Sequence, residues 1–71
     1  MKYNYSNIGL NLRIIRNKKG ISQRKAALEM DIDIKAYNKL ESDNPPNTHV
    51  LTLLKILEYY NITLEELLKD S

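Results

Sequence analysis

The sequence predicts an all-α fold, a bundle of five helices. Apolar residues recur three and four positions apart, which is the spacing of helices that bury one face. Residues that begin and end helices stand at the boundaries of these segments. The chain of 71 residues has material for one hydrophobic core and not for two, so residues 1–71 are expected to form a single domain.

The first two helices are predicted from their ends and their apolar faces. The first covers about residues 7–18, and Gly20 stands where a left-handed cap would end it. Ser22 can begin the second helix by accepting a backbone N–H. Small side chains in the second helix would let another helix cross it closely. The residues expected to face the core are Ile8, Leu12, Ile15, Ala26, Ala27 and Met30.

A sharp turn is predicted between the second helix and the third, which we place at residues 34–41. Asp31 tolerates a left-handed backbone better than most residues, so it can occupy the turn. Ile32 is apolar and is expected to fill the gap between the helices. Asp33 can cap the third helix. The predicted inward residues of the third helix are Tyr37 and Leu40.

Two adjacent prolines exclude a helix from the loop that follows. Thr48 is expected to cap the fourth helix, which runs to about residue 60, with His49 as a polar residue of its first turn. Thr63 and Glu66 fit a capping box at the start of the fifth helix. The inward residues are predicted to be Val50, Leu53, Ile56, Leu57 and Tyr60, followed by Leu64, Leu67 and Leu68.

The composition excludes several classes of function. The chain has no cysteine and one histidine, so we expect no disulfide and no metal site. With two glycines and no serine spaced to a base, it has no phosphate loop and no catalytic residues, and we expect a non-enzyme without cofactor or small-molecule ligand. Apolar runs are too short for a bilayer, and residues 1–5 lack a signal peptide's apolar core, which predicts a cytoplasmic protein without membrane contact. Tyr3 and Tyr5 are expected to belong to a frayed terminus.

Charge is distributed unevenly along the chain. Residues 1–39 hold nine basic and three acidic side chains, a formal charge of +6. Residues 40–71 hold two basic and six acidic side chains, a formal charge of −4. A polyanion such as DNA would be attracted to the first part and repelled by the second.

The segment from Ser22 to Glu41 resembles the helix-turn-helix signature of Cro and phage-repressor (Xre-like) transcriptional regulators. The resemblance covers about residues 8–68 and rests on an ordered set: Gly20, Ile21, Ser22, Gln23, Ala27, Ile32, Tyr37, Leu40 and Glu41. It implies a bundle of the phage-repressor DNA-binding domain type, in which helices 2 and 3 form the helix-turn-helix and helix 3 enters the major groove. The chain departs from the family pattern at Asp31, Asp33 and Asp43, whose carboxylates would repel phosphate.

The resemblance also implies a set of DNA-binding residues. Lysines at 35 and 39 share a helix face, from which they can donate to guanine or to phosphate, and Asn38 can pair with adenine. Ile34 can rest on a thymine methyl, while Ser22 and Gln23 stand where helix 2 meets phosphate. Arg16 and Glu41 match a structural salt bridge beneath the motif. The full DNA-binding set is Ser22, Gln23, Ile34, Lys35, Asn38, Lys39, Ser42 and Asn44.

Some apolar residues lie off the predicted core faces and suggest a partner. Leu51, Leu54 and Leu68 are candidates for a two-fold interface, since a pair of such domains reads two half-sites about 34 Å apart. We therefore predict a homodimeric, sequence-specific DNA-binding regulator that acts as a repressor. The alternative is an antitoxin, or another protein-interaction module with weak or secondary DNA binding, which would have a protein partner such as a toxin. A third reading is a helix-turn-helix domain that no longer binds DNA.

Overall fold

A computed structural model describes residues 4–70 of the chain. Within that range the structure has five α-helices, which confirms the predicted all-α fold. They are α1 (Asn7–Lys19), α2 (Gln23–Met30), α3 (Ile34–Leu40), α4 (Val50–Tyr60) and α5 (Leu64–Leu68). Tyr3, which is expected in a frayed terminus, lies outside the described residues. No helix in residues 4–70 is long and apolar enough to cross a membrane.

Most helix ends are those that the sequence predicts. Gly20 ends α1 with a φ of 75°, and the Ser22 hydroxyl begins α2 by accepting the backbone N–H of Lys25. Thr63 and Glu66 form the capping box of α5, in which each side chain accepts a backbone N–H of the other residue. These caps satisfy backbone groups that the helices themselves leave without partners.

The start of α4 differs from the prediction. The N-cap is His49, whose Nδ1 accepts the N–H of Leu51 at 3.2 Å. Thr48 was the predicted cap, but its hydroxyl is used elsewhere, because it donates to the Pro46 carbonyl at 3.2 Å and lies 2.8 Å from the hydroxyl of Tyr5. Tyr5 also donates to the Pro46 carbonyl. The expectation that Tyr5 frays is therefore wrong, since this residue ties the start of the chain to the α3–α4 loop.

The turn between α2 and α3 has the predicted conformation. Asp31 adopts a left-handed backbone with a φ of 57°, and half-buried Ile32 packs against the core. Asp33 caps α3 through Oδ2, which accepts the N–H groups of Lys35 at 3.1 Å and Ala36 at 3.2 Å. The turn places the start of α3 beside α2, which is the arrangement of a helix-turn-helix. The last residue predicted for α3, residue 41, follows the helix as its C-cap.

The core is built from side chains of all five helices. Val50 and Leu64 were predicted to face it, but Val50 is 61% exposed and Leu64 is also exposed. Val50 lies four residues before Leu54, on the outer face of α4, whereas the buried face carries Ile56 and Tyr60. Leu64 is the first residue of a five-residue helix that buries Leu67. The fully buried or nearly buried apolar residues are Ile8, Leu12, Ala26, Ala27, Met30, Tyr37, Leu40, Ile56, Tyr60 and Leu67.

Helix α1 packs closely against both α5 and the end of α3. Buried Asn11 donates its side-chain amide to the carbonyls of Leu67 at 2.7 Å and Lys69 at 3.0 Å. Gly9 passes so near the end of α3 that a Cβ at this position would overlap the carbonyl oxygen of Ser42. The position of α1 is thus fixed on both sides, between α5 and the end of α3.

Candidate nucleic-acid interface

A buried carboxylate beneath the helix-turn-helix connects three elements of the fold. Glu41 is 2% exposed and follows the last residue of α3. Its Oε2 accepts Nε of Arg16 at 2.7 Å, and its Oε1 accepts Nη2 of Arg16 at 3.1 Å. Gln23, the first residue of α2, donates Nε2 to Oε1 at 3.0 Å. Arg16 also donates Nη1 to the carbonyl of Ile21 at 2.8 Å. The guanidinium therefore binds both the residue that follows α3 and the segment between α1 and α2.

This network keeps both charged members ionised. Burial alone would raise the pKa of Glu41, but hydrogen bonds from Arg16, Gln23 and Tyr37 lower it below its ordinary value. The hydrogen bond to Glu41 is the main cause that raises the pKa of Arg16. The pair is therefore a charged, hydrogen-bonded clamp between α1 and the end of α3.

A second buried contact joins α3 to α4. The hydroxyls of Tyr37 and Tyr60 lie 2.7 Å apart, and both side chains are buried. Burial is the largest cause that raises the pKa of each tyrosine, so both remain neutral. The sequence predicted both as inward residues but did not pair them. The available signal was that a buried tyrosine needs a hydrogen-bond partner for its hydroxyl.

The outward face of α3 carries four of the predicted DNA-binding residues. Tyr37 and Leu40 are turned into the core, and this orientation leaves the opposite face of the helix open to solvent. On that face the apolar Ile34 is 37% exposed. The exposed residues of the face are Ile34, Lys35, Asn38 and Lys39. The helix therefore offers two cations, an amide and an apolar group from one short surface, which suits the mixed chemistry of a major groove.

Three of the other four predicted contact residues already make side-chain hydrogen bonds within the protein. Gln23 is half-buried, and one of its two amide N–H groups is bound to Glu41, which leaves the second for an outside acceptor. The Ser22 hydroxyl accepts the cap hydrogen bond and keeps its own proton to donate. Ser42 instead donates its hydroxyl to the carbonyl of Lys39 at 2.6 Å, so its proton is already used. Asn44 is exposed in the loop.

The α3–α4 loop forms the wall of a groove that the sequence analysis did not identify. The groove measures about 550 Å³, with Lys35 and Lys39 on the helix side. Asn47 and His49 lie on the loop side, and both residues are exposed. Their position depends on the folding of the two-proline loop over α3, and no local pattern encodes that. The groove adds polar side chains beside the outward face of α3.

Two further features bear on the charge and shape of this surface. Arg13 lies 3.2 Å from Asp43, so this carboxylate, which was expected to repel phosphate, has a cationic partner.

Leu28 on α2 is 79% exposed and lines a cleft of about 390 Å³ together with Arg24 and Ile34. Leu28 lies off the face of α2 that carries the buried alanines, and this position in the sequence could have predicted that its side chain is exposed.

The candidate dimer residues divide into two groups. Leu51 and Leu54 are each more than half exposed, and Val50 joins them on the outer face of α4. Leu68 is half-buried and packs against the core of its own chain, so it offers less surface to a partner.

Comparison with known families finds a match that reaches all five helices and is not limited to the two-helix motif. A family model described as Helix-turn-helix matches residues 12–67. The match begins inside α1 and ends inside α5. No curated protein and no solved structure gives a match.

Proposed function

The chain belongs to the Cro/C1-type helix-turn-helix family, and from that membership we propose that it is a sequence-specific DNA-binding repressor. The family gives the domain DNA as its partner. One observation carries the proposal for this chain: the face of α3 opposite buried Tyr37 and Leu40 holds only exposed groups that can contact bases or phosphate. We propose that residues 1–71 act as one such domain.

In the proposed complex α3 lies in the major groove and α2 crosses the phosphate backbone. Lys35 and Lys39 donate to guanine or to phosphate, and Asn38 pairs with adenine. The start of α2 approaches phosphate with the Ser22 hydroxyl and the second amide N–H of Gln23. Asn44 extends this contact from the α3–α4 loop, and Ser42 contributes once its hydroxyl exchanges the Lys39 carbonyl for phosphate. A protein bound in this way excludes others from the same DNA, which is why we propose repression.

We propose that two copies pair through the outer face of α4. Val50, Leu51 and Leu54 support this arrangement because three neighbouring apolar side chains, each more than half exposed, gain from removal from water. Leu68 has a smaller part at the edge of the interface. A two-fold pair would place two α3 helices about one turn of DNA apart, roughly 34 Å, so the bound sequence would be an inverted repeat.

A second candidate function is a protein-interaction module, for example an antitoxin that binds a partner toxin. The observation that favours it is Leu28, which is 79% exposed and lies outside the proposed dimer face. For either function we propose a non-catalytic protein that acts in the cytoplasm.

Selection of bound fragments from a random DNA pool tests the first proposal. We expect an enriched sequence with two related half-sites, and binding that weakens steeply with salt. If no sequence is enriched at low salt and a partner protein co-purifies with the wild-type chain but not with Leu28→Ser, the second candidate replaces the first. Leu64→Ser is the matched control, because it also changes an exposed leucine but lies on α5.

A further inference from the structure

The two residues at the junction of the α2–α3 turn and α3 have complementary chemistry. Asp33 is exposed, and its two capping hydrogen bonds both end on Oδ2. Within residues 4–70 this leaves Oδ1 with acceptor capacity for a donor in the groove. Ile34 follows directly and is 37% exposed, although it is a large apolar residue. An acceptor and an apolar surface therefore occupy consecutive positions, with Asp33 lining the groove beside Lys35 and Ile34 lining the neighbouring cleft beside Leu28.

Base pairs differ in what they offer to such a pair of side chains. A carboxylate can only accept, so in the major groove it favours the amino group of adenine or cytosine and is repelled by the acceptors of guanine. An apolar side chain favours the thymine methyl. The A·T pair alone presents an amino group and a methyl group on the same edge.

We propose that Asp33 and Ile34 together select an A·T base pair, with Asp33 accepting from the adenine N6 amino group and Ile34 covering the thymine methyl. The inference rests on the proposed function, because it requires α3 to lie in the major groove. The first residues of a recognition helix are those that reach base edges, which places this pair where it can act.

The capping hydrogen bonds make Asp33 suited to this role. Oδ2 is held by the N–H groups of Lys35 and Ala36 at 3.1 and 3.2 Å, so the carboxylate is fixed before DNA arrives. A carboxylate in this place also repels phosphate and so weakens binding to DNA of any sequence. Asp33 would therefore raise the ratio of specific to non-specific binding, although it adds negative charge to a DNA-binding surface.

Base analogues in the selected sequence test each half of the proposal. Purine in place of adenine removes only the amino group, and deoxyuridine in place of thymine removes only the methyl. We expect one A·T pair in each half-site at which purine weakens wild-type binding about tenfold, as a charged hydrogen bond would, and deoxyuridine weakens it about fourfold, as a buried methyl would.

Protein variants then assign the two losses to their residues. Asp33→Ser keeps a good N-cap but removes the carboxylate, so the purine substitution should cost it less than about twofold. Ile34→Ala should lose its response to deoxyuridine, whereas Ile34→Val should keep it. Asp31→Asn is the matched charge control. It removes a carboxylate two residues away at a left-handed position that Asn tolerates, and it should strengthen binding to all sequences without changing the response to either analogue. Melting curves of the variants confirm that each is folded.

The outcomes separate this inference from the proposed function. The inference is supported if purine and deoxyuridine both weaken binding at one A·T pair, the first through Asp33 and the second through Ile34. A selected sequence without such a pair, or equal losses in wild type and Asp33→Ser, overturns the inference and leaves DNA binding intact. Failure to enrich any sequence overturns the proposed function and the inference with it.

Discussion

Gln23 donates its side-chain amide to Glu41 at 3.0 Å, so the first residue of α2 is bound to the residue that directly follows α3. Arg16 holds the same carboxylate from α1. The angle between the two helices of the motif is therefore set by a buried charge as well as by apolar packing. A clamp of this kind places the outward face of α3 in a fixed orientation before DNA is bound, which lowers the ordering cost of binding.

Breaking the clamp should destabilise the fold strongly. Glu41→Ala leaves the Arg16 guanidinium largely buried without its counter-ion, and we expect a loss of about 3 kcal/mol in the free energy of unfolding. Urea denaturation measures it. Asp43→Ala is the matched control, since it removes the carboxylate of the exposed pair with Arg13 and should cost less than about 1 kcal/mol. Similar losses for the two variants would contradict the buried role of Glu41.

The same clamp predicts how stability depends on pH. The folded-state pKa of Glu41 lies below its ordinary value of 4.5, so the folded protein binds this proton less readily than the unfolded chain. The stabilisation is fully present above pH 4.5 and is lost as the pH falls through the lowered folded pKa. Denaturation between pH 7 and pH 2 should show this loss. Glu41→Gln should be less stable at neutral pH and should show a weaker dependence in the acid range; an unchanged dependence would argue against this assignment.

The sequence specifies most of the helix ends because caps are local. Gly20, Asp31 and Thr63 each act on residues within a few positions, and their residue types suit a left-handed backbone or a capping side chain. The start of α4 was misplaced for the opposite reason. Thr48 is a better cap than His49 by type, but Tyr5 engages the Thr48 hydroxyl from 43 positions away. No local rule contains that contact.

In the candidate site too, some features follow from the local sequence and others depend on contacts between distant residues. The exposed face of α3 follows from helical spacing alone, once Tyr37 and Leu40 are taken as buried. The contact of Gln23 with Glu41 and the groove wall at His49 depend on how elements distant in sequence meet. The resemblance to a family supplied the pairing of Arg16 with Glu41, which spacing could not have supplied.

The two glycines should respond differently to substitution. Gly9→Ala puts a methyl against the Ser42 carbonyl, and we expect a loss of about 1–3 kcal/mol, the usual cost of overpacking. Gly20→Ala meets no atom within 4 Å but must adopt a φ of 75°, at a cost of about 1 kcal/mol. Thermal denaturation of variants with Asn at each position separates steric overlap from backbone strain. Gly20→Asn should recover much of the stability because Asn tolerates the left-handed region, whereas Gly9→Asn should not recover any. Recovery at Gly9 would show that backbone conformation, and not space, limits that position.

The buried hydroxyl pair between α3 and α4 should behave as a coupled unit. Tyr37→Phe leaves the Tyr60 hydroxyl without its partner in a buried place, and we expect it to cost about 1–2 kcal/mol. Adding Tyr60→Phe removes the unsatisfied group, so the double variant should be no less stable than the single one. A double-mutant cycle from urea denaturation measures the coupling. Additive losses would mean that the two hydroxyls do not depend on each other.

The outward lysines of α3 should determine how strongly DNA binding depends on salt. Lys35→Ala combined with Lys39→Ala removes two cations from the proposed interface while leaving the buried face of α3 unchanged. If both neutralise phosphate, the slope of log K against log salt should fall by about 1.8 per protomer, or about 3.6 for the proposed two-fold pair, since each neutralised phosphate contributes about 0.9. If one of them reads guanine instead, the slope should fall by about half as much and discrimination at one base pair should relax. Titrations of the selected DNA at several salt concentrations measure both quantities.

The control for this prediction is Lys69→Ala, which removes an exposed cation beyond α5 and should leave the slope unchanged. An equal change in the control would mean that overall charge, and not the face of α3, directs the protein to DNA.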